Sequence, residues 1–342
     1  MFNGRRWPVA GLLAGVAALA VATVTPAQAA GTPAGSASTV STVSTAAATS
    51  GAGLASASGY WTTQRMANAR SGDLLAPKPS AASTAQSTPR GGVRGSVAPS
   101  AATKPLPQSQ GSARSRSGDV STMAVSASAT VGRAFFHNPT DGLDYSCSAS
   151  ALNSGSKELV LTAGHCVHGG AGGTWATNWV FVPLYNYGSQ PYGQWSAKYF
   201  TTFNSWMSSS DLNRDVAMVT MWPNGSGALV NVVGGNGLAW NWGFYNPVTI
   251  LGYPAQYPYD GGWQWACQGT TTRFGSEYKV ALQCGFTGGS SGGPWLLQYD
   301  NNTGLGYANG AMSTLEPSTG WNRASYFDDA VYNMYASVAN LT

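Results

Sequence analysis

Residues 121–342 predict an all-β domain that carries one terminal helix, and three observations support this. Short apolar stretches rich in strand formers recur between turn residues. No long amphipathic helix interrupts them, which favours a sandwich or barrel over alternating helices and strands. Only Asp328–Asn340 departs from the pattern: Val331, Met334, Tyr335 and Val338 fall at spacings of three, four and seven on one helical face, with Ser325 as its cap. A stretch of roughly 220 residues suits one large all-β unit or two small subdomains.

The strand candidates run in order through 157–162, 179–184, 194–200, 216–221, 248–251, 263–270 and 279–284. The segments 295–299 and 307–314 flank Asp300-Asn301-Asn302-Thr303-Gly304, whose turn formers read as a hairpin connection. No internal repeat is clear enough to use.

The first 120 residues are built differently. Arg5 and Arg6, the apolar run 11–24 and Ala27-Gln28-Ala29 read together as an export signal over 1–30. The apolar run is short for a membrane span. Residues 31–120 are rich in Ala, Ser, Thr, Gly and Pro, a composition that cannot bury enough apolar surface to offset its ordering entropy, and disorder is expected there. One island, Gly59–Arg70, breaks the pattern. Thr62 or Thr63 is placed to cap a short helix carrying Met66 and Ala69, either a transient helix or a docking element of a pro-segment. Residues 1–120 hold 10 Lys or Arg against 2 Asp or Glu, net +8; residues 121–342 hold 7 against 11, net −4. The whole-chain charge of +4 therefore says nothing of the folded domain and is no sign of nucleic-acid binding.

Four cysteines, Cys147, Cys166, Cys267 and Cys284, all lie in the compact region. With an export signal, two disulfides are expected, and three pairings are open. Sequential pairing, Cys147 with Cys166 and Cys267 with Cys284, closes the shortest loops. No Cys-x-x-Cys pair supports zinc, and neither a metal nor a cofactor is expected.

The chemistry is read from the three histidines. A serine hydrolase needs a base, because a serine hydroxyl is barely ionised near neutral pH. His165, in Leu161-Thr162-Ala163-Gly164-His165-Cys166, follows an apolar strand and adjoins a cysteine that can pin it. His168, beside Gly169-Gly170, reads as solvent-facing, and His137, beside Asn138-Pro139, as a turn or surface residue. The base needs an acid to fix its tautomer and stabilise its cation. Asp215 opens the apolar run 215–219, while Asp211 fits a loop role better; on position alone Asp215 reads as a strand cap. Gly289-Ser290-Ser291-Gly292-Gly293 matches the G-x-S-x-G elbow of α/β-hydrolases, but that fold needs a histidine after the serine and none follows here. Ser276-Glu277-Tyr278-Lys279 matches S-x-x-K by chance, having no partner motif.

The order His165, Asp215, Ser291 resembles the chymotrypsin-like serine peptidases. The matching pieces are T-A-G-H-C at 162–166, D-V-A-M-V at 215–219 and G-S-S-G-G-P at 289–294. The resemblance spans about residues 125–342 and looks nearest to secreted bacterial members close to the glutamyl-endopeptidase branch. It implies two six-stranded antiparallel β-barrels with a C-terminal helix, and a Cys147–Cys166 bridge bracing the histidine loop. It further implies Ser291 as nucleophile, His165 as general base and then acid, and Asp215 as orienting acid. The N–H groups of Gly289 and Ser291 would form the oxyanion hole, which accounts for the glycines: the chain must bend so that two donors meet one developing charge.

Departures from the family refine the expectation. Ser290 stands where many animal members carry an Asp that pairs with a freed N-terminus, so a pro-segment that blocks the cleft or helps folding is expected instead, cut within 105–130, with Arg114-Ser115-Arg116 a candidate. Gly285 stands where trypsin-like members carry a specificity Asp, and no histidine follows Ser291 to meet a glutamyl side chain. Ser313, in Ala311-Met312-Ser313-Thr314, resembles the residue that binds substrate backbone; Leu315 follows where a small residue would keep the pocket open. A shallow apolar pocket is expected. The expectation is a secreted serine endopeptidase acting on protein or peptide, with its own pro-segment as partner. It would be a monomer that binds neither nucleic acid nor membrane. The alternatives are a non-catalytic binding protein on the same fold, or an esterase using the same three residues.

Overall fold

The computed structural model describes residues 41–47, 50–76, 91–104, 111–115, 124–275 and 278–342. The export signal expected over 1–30 lies outside them. The strands are β1 (Thr42–Ala46), β2 (Arg70–Ser71), β3 (Gly95–Val97), β4 (Val131–Asn138), β5 (Leu143–Leu152), β6 (Leu159–Thr162), β7 (Thr177–Pro183), β8 (Trp195–Phe203) and β9 (Ala217–Met221), followed by β10 (Gly237–Trp240), β11 (Pro247–Gly252), β12 (Trp265–Thr270), β13 (Thr272–Arg273), β14 (Lys279–Gln283), β15 (Pro294–Asp300), β16 (Leu305–Glu316) and β17 (Trp321–Ser325). The helices are α1 (Gly51–Tyr60), α2 (Thr63–Asn68), α3 (Asn204–Ser209), α4 (Leu229–Val233) and α5 (Asp329–Val338). None of them is long and apolar enough to cross a membrane.

Two antiparallel sheets make the domain. In the first, β7-β4-β5-β6-β9 runs edge to edge and β8 pairs with both β7 and β9, which closes a six-stranded barrel. Its interior is aromatic and aliphatic, with Trp179, Phe181, Trp195 and Phe200 buried around Val160 and Val219. Burying each such side chain is worth about 1.5–3 kcal/mol. The second sheet, β12-β11-β15-β16-β17-β14-β13, forms a half-barrel around Ile250, Trp295, Met312 and Cys267. This is the two-barrel architecture of the chymotrypsin type, with the C-terminal helix in place. The cysteines pair sequentially, Cys147–Cys166 and Cys267–Cys284, one bridge to each sheet.

Helix α5 lays Val331, Met334, Tyr335 and Val338 into the core between the sheets. Its cap is Asp328, not Ser325: the Asp328 carboxylate accepts from the N–H groups of Ala330 and Val331. Ser325 lies at the end of β17 and its hydroxyl donates to Leu212 O.

Disorder expected over 31–120 does not hold for the described parts of that stretch. β1 adds to the edge of β8, β2 pairs in parallel with β5, and β3 adds to β10. Thr62 caps α2, as its position implied, and Met66 and Trp61 are buried. Composition misled because a few large side chains carry the contact: Trp61 packs on Phe135 and its Nε1 donates to Asn178 O. Tyr60 and Arg65 meet at the Asp144 carboxylate, at 2.7 and 2.8 Å.

Candidate active site

The histidine is held by its neighbours' side chains. β6 ends at Thr162, and a short 3-10 turn, Gly164–Cys166, carries His165. The Cys147–Cys166 bridge ties this turn to β5. Indole N–H groups fix its carbonyls: Trp179 donates to Cys166 O and Trp206 to His168 O, each at 2.9 Å. Cys147, His165 and Cys166 bring ligand atoms together as a metal site would, but both sulfurs are spent in the disulfide.

Asp215 is fully buried and meets His165 twice: Oδ1 accepts from the backbone N–H at 2.8 Å and Oδ2 lies 2.9 Å from Nδ1. Ser313 donates its hydroxyl to the same Oδ2 at 2.7 Å. Burial alone would push the Asp215 carboxyl up. The charge and hydrogen bond of His165, the Ser313 hydroxyl and the charge of Lys279 outweigh it and hold the group below its ordinary value. The preceding turn is anchored by Arg214, whose guanidinium makes two 2.8 Å bonds to Asp328 at the start of α5. Removing one partner of such a buried pair typically costs about 3–5 kcal/mol. Asp211 takes the loop role expected of it, accepting from Asn213 N–H.

The loop that carries Ser291 is held largely through its backbone. Gly289 has φ +93° and Gly292 φ +81°. A Cβ on Gly289 would lie 2.7 Å from Tyr253 O, and one on Gly292 2.2 Å from Thr162 Oγ1 and 2.3 Å from Ser148 O. Both positions therefore need glycine twice over, for dihedral and for space. Ser148 braces the loop from β5: its N–H donates to Ser291 O at 2.7 Å and its hydroxyl to Gly289 O at 2.9 Å. The Ser290 hydroxyl turns inward to Thr287 O. Ser291 Oγ and His165 Nε2 are both buried, and neither has a hydrogen-bond partner among the described residues.

Residues 70–75 lie beside the disulfide and the glycine loop. Arg70 and Ser71 pair with Tyr145 and Ser146, directly before Cys147. Gly72 lies so close to the bridge that a Cβ there would be 2.5 Å from Cys147 Sγ. Asp73 lies over Gly288, three residues before Ser291: a Cβ on Gly288 would fall 2.0 Å from its Oδ1, which is buried without a partner.

The remaining sequence expectations land as follows. Gly285 has φ +64° and donates its N–H to Gly320 O. Leu315 is half-buried on β16. Ser313 sits at a register shift between Met312 and Thr314, which takes it out of the β16–β17 ladder. His168 corrects the reading that it faces solvent: it is buried against Trp175, and burial lowers its pKa. His137 is partly buried between Asp144 and Tyr60. Sequence reading missed Ser148, Arg214 with Asp328, and Asp73. The alternation Ser146-Cys147-Ser148-Ala149-Ser150 on β5 was the available signal for the first.

Solved structures place this arrangement. A thermostable serine protease, AL20, from an extremophilic microorganism is 30% identical with a TM-score of 0.59, and the match covers 63% of this chain and 99% of that one. Protease Anisep from Arthrobacter nicotinovorans is 32% identical with a TM-score of 0.58, covering 62% and 96%. The chain belongs to the chymotrypsin-like serine peptidase family. A Glu endopeptidase shares the fold at 18% identity and a TM-score of 0.51, covering 64% and 93%. No protein-family model and no curated protein matches the chain. A little over a third of this peptidase-family chain thus has no counterpart in relatives that it spans almost whole.

Proposed function

We propose that the chain is a secreted serine endopeptidase, made as a pro-enzyme, that cuts peptide bonds through an acyl-enzyme. The observation that carries this reading is the closed Asp215–His165 pair beside a glycine-wrapped Ser291. Ser291 Oγ attacks the scissile carbonyl while His165 Nε2 takes its proton, and Asp215 stabilises the imidazolium. The N–H groups of Gly289 and Ser291 meet the oxyanion; losing one such donor costs about 3–4 kcal/mol. His165 then protonates the leaving amine, and water, activated by the same imidazole, releases the acyl group. Disulfides and the export signal of the sequence support secretion. Gly285 supplies no charge at the specificity position, which supports uncharged side chains before the cut.

Residues 31–120 act as the pro-segment. The stretch 70–75 closes the cleft, anchored upstream by Trp61, Tyr60 and Arg65 on the first barrel. Cleavage falls within 105–130; Arg114 is exposed there, with its backbone bonded to Gln264 and Ala266.

A serine-directed phosphonate, casein and a short ester test the reading on full-length and processed protein, with Ser291→Ala as control. Processed protein should label at Ser291 and digest casein, and the full-length chain should label more slowly. No labelling of the processed form would favour a binding protein, and ester hydrolysis without casein hydrolysis would favour an esterase. An active secreted product with 31–120 intact would overturn the pro-enzyme state.

A further inference from the structure

Lys279 opens β14 and is fully buried, an expensive place for an ammonium group. Its Nζ lies 3.2 Å from Ser313 Oγ and 3.1 Å from Thr314 Oγ1. An ammonium group only donates, so both hydroxyl oxygens must accept. The single hydrogen of Ser313 is then left for Asp215 Oδ2, which it meets at 2.7 Å. The same Oδ2 lies 2.9 Å from His165 Nδ1. Ammonium, hydroxyl, carboxylate and imidazole thus stand in one line, and each link has one permitted direction.

We propose that Lys279 is a positioning residue for the hydrolytic reaction: through Ser313 it keeps the Asp215 carboxylate aimed at His165, and its charge opposes the imidazolium, so that it sets the pH range in which His165 serves as base. The proposal rests on the reading of His165, Asp215 and Ser291 given above. Two effects follow from one charge. The ammonium occupies the acceptor side of the Ser313 hydroxyl, so its hydrogen stays committed to the carboxylate opposite the imidazole. It also opposes a second positive charge nearby, which favours the neutral imidazole needed to accept the Ser291 proton. Its charge is among the influences that hold the Asp215 carboxyl down.

The other charged groups on the packed elements are engaged elsewhere. Arg214 pairs with Asp328, Arg323 pairs with Glu316, and Asp211 caps its own turn. Arg273, on the strand beside β14, lies over the rings of Phe244 and Tyr278. Lys279 is the cation whose hydroxyl partner touches the catalytic carboxylate.

The test is the pH profile of kcat/KM for processed enzyme carrying Lys279→Met, Lys279→Gln or Lys279→Arg. Loss of the charge should move the acid limb to higher pH by on the order of one unit, the size expected for one charge at this range in a partly polar interior. Lys279→Arg should restore the parent limb. Lys279→Gln keeps a donor without the charge, and covers the case in which the apolar variant does not fold. A limb that stays in place in whichever neutral variant folds overturns the proposal, even if that variant is less stable, since a merely structural lysine would change stability alone. Parent enzyme with no Ser291-dependent activity would instead overturn the hydrolase reading, so the two failures are distinct.

Discussion

The two sheets hold their parts of the site by different means. On the first, His165 and Asp215 are fixed by side-chain chemistry: a disulfide, two indole donors, a buried carboxylate and the Arg214–Asp328 pair behind it. On the second, Ser291 is fixed by backbone geometry, with glycine at Gly289 and Gly292 and with main-chain bonds from Ser148 N to Ser291 O and from Gly292 N to Met312 O. The groups that the proposed reaction charges and discharges sit where neighbouring charges can tune them. Ser291, which the proposed reaction needs only to be presented, sits on a loop held by glycine and main-chain bonds, with Asp73 the carboxylate that lies against it. Each half should therefore fail under a different kind of substitution.

The largest effect is expected from Asp215→Asn. The amide keeps the shape but loses the charge and presents His165 with the wrong tautomer, and a fall in kcat of about 10⁴ is expected. A fall below tenfold, read from single-turnover acylation, would mean that charge does not hold this half. Gly292→Ala should break the other half without touching any charge. A side chain there faces an unfavourable dihedral and two atoms within 2.3 Å, so a stability loss of about 3 kcal/mol or more is expected in urea unfolding. An unfolding midpoint equal to that of the parent would show that the loop has slack.

The same difference decided how much of the molecule was legible in the sequence. The glycine loop was readable because His165 and Asp215 precede it in the order the resemblance needs, and His165 because few histidines competed. The strands with period-two apolar patterns were readable too. β5 was not, because its alternation is Ser with Cys or Ala, and all of Ser146–Leu152 is buried. Its serines look like surface residues but serve as hydrogen-bond partners between the sheets: Ser148 to the Ser291 loop and Ser150 to Asn236. The docked pieces of 31–120 were hidden for a related reason. Their order comes from pairing with strands of the domain and from a few anchors, Tyr60, Trp61, Arg65 and Met66, and window composition averages those anchors away. Long-range pairs such as Arg214 with Asp328 leave no local pattern at all.

A smaller effect sharpens the comparison, because it asks whether the charged half alone makes stability depend on pH. Glu158 directly precedes β6, the strand that leads to His165, and is 5% exposed. Burial pushes its carboxyl up to about 7, against the Leu229 N–H that it accepts at 3.2 Å and the charge of Lys198. A carboxyl raised in the fold contributes its full stability below its unfolded value near 4.5, and loses it as the pH rises through about 7. Glu158→Gln keeps the neutral, accepting form at every pH. The variant should therefore match the parent near pH 4 and exceed it above pH 7 by on the order of 1–3 kcal/mol in urea unfolding. An equal difference at both pH values would assign the effect to packing. A gain that appears only at high pH would place a titrating strain in the barrel that carries His165, where the glycine loop of Ser291 has no counterpart.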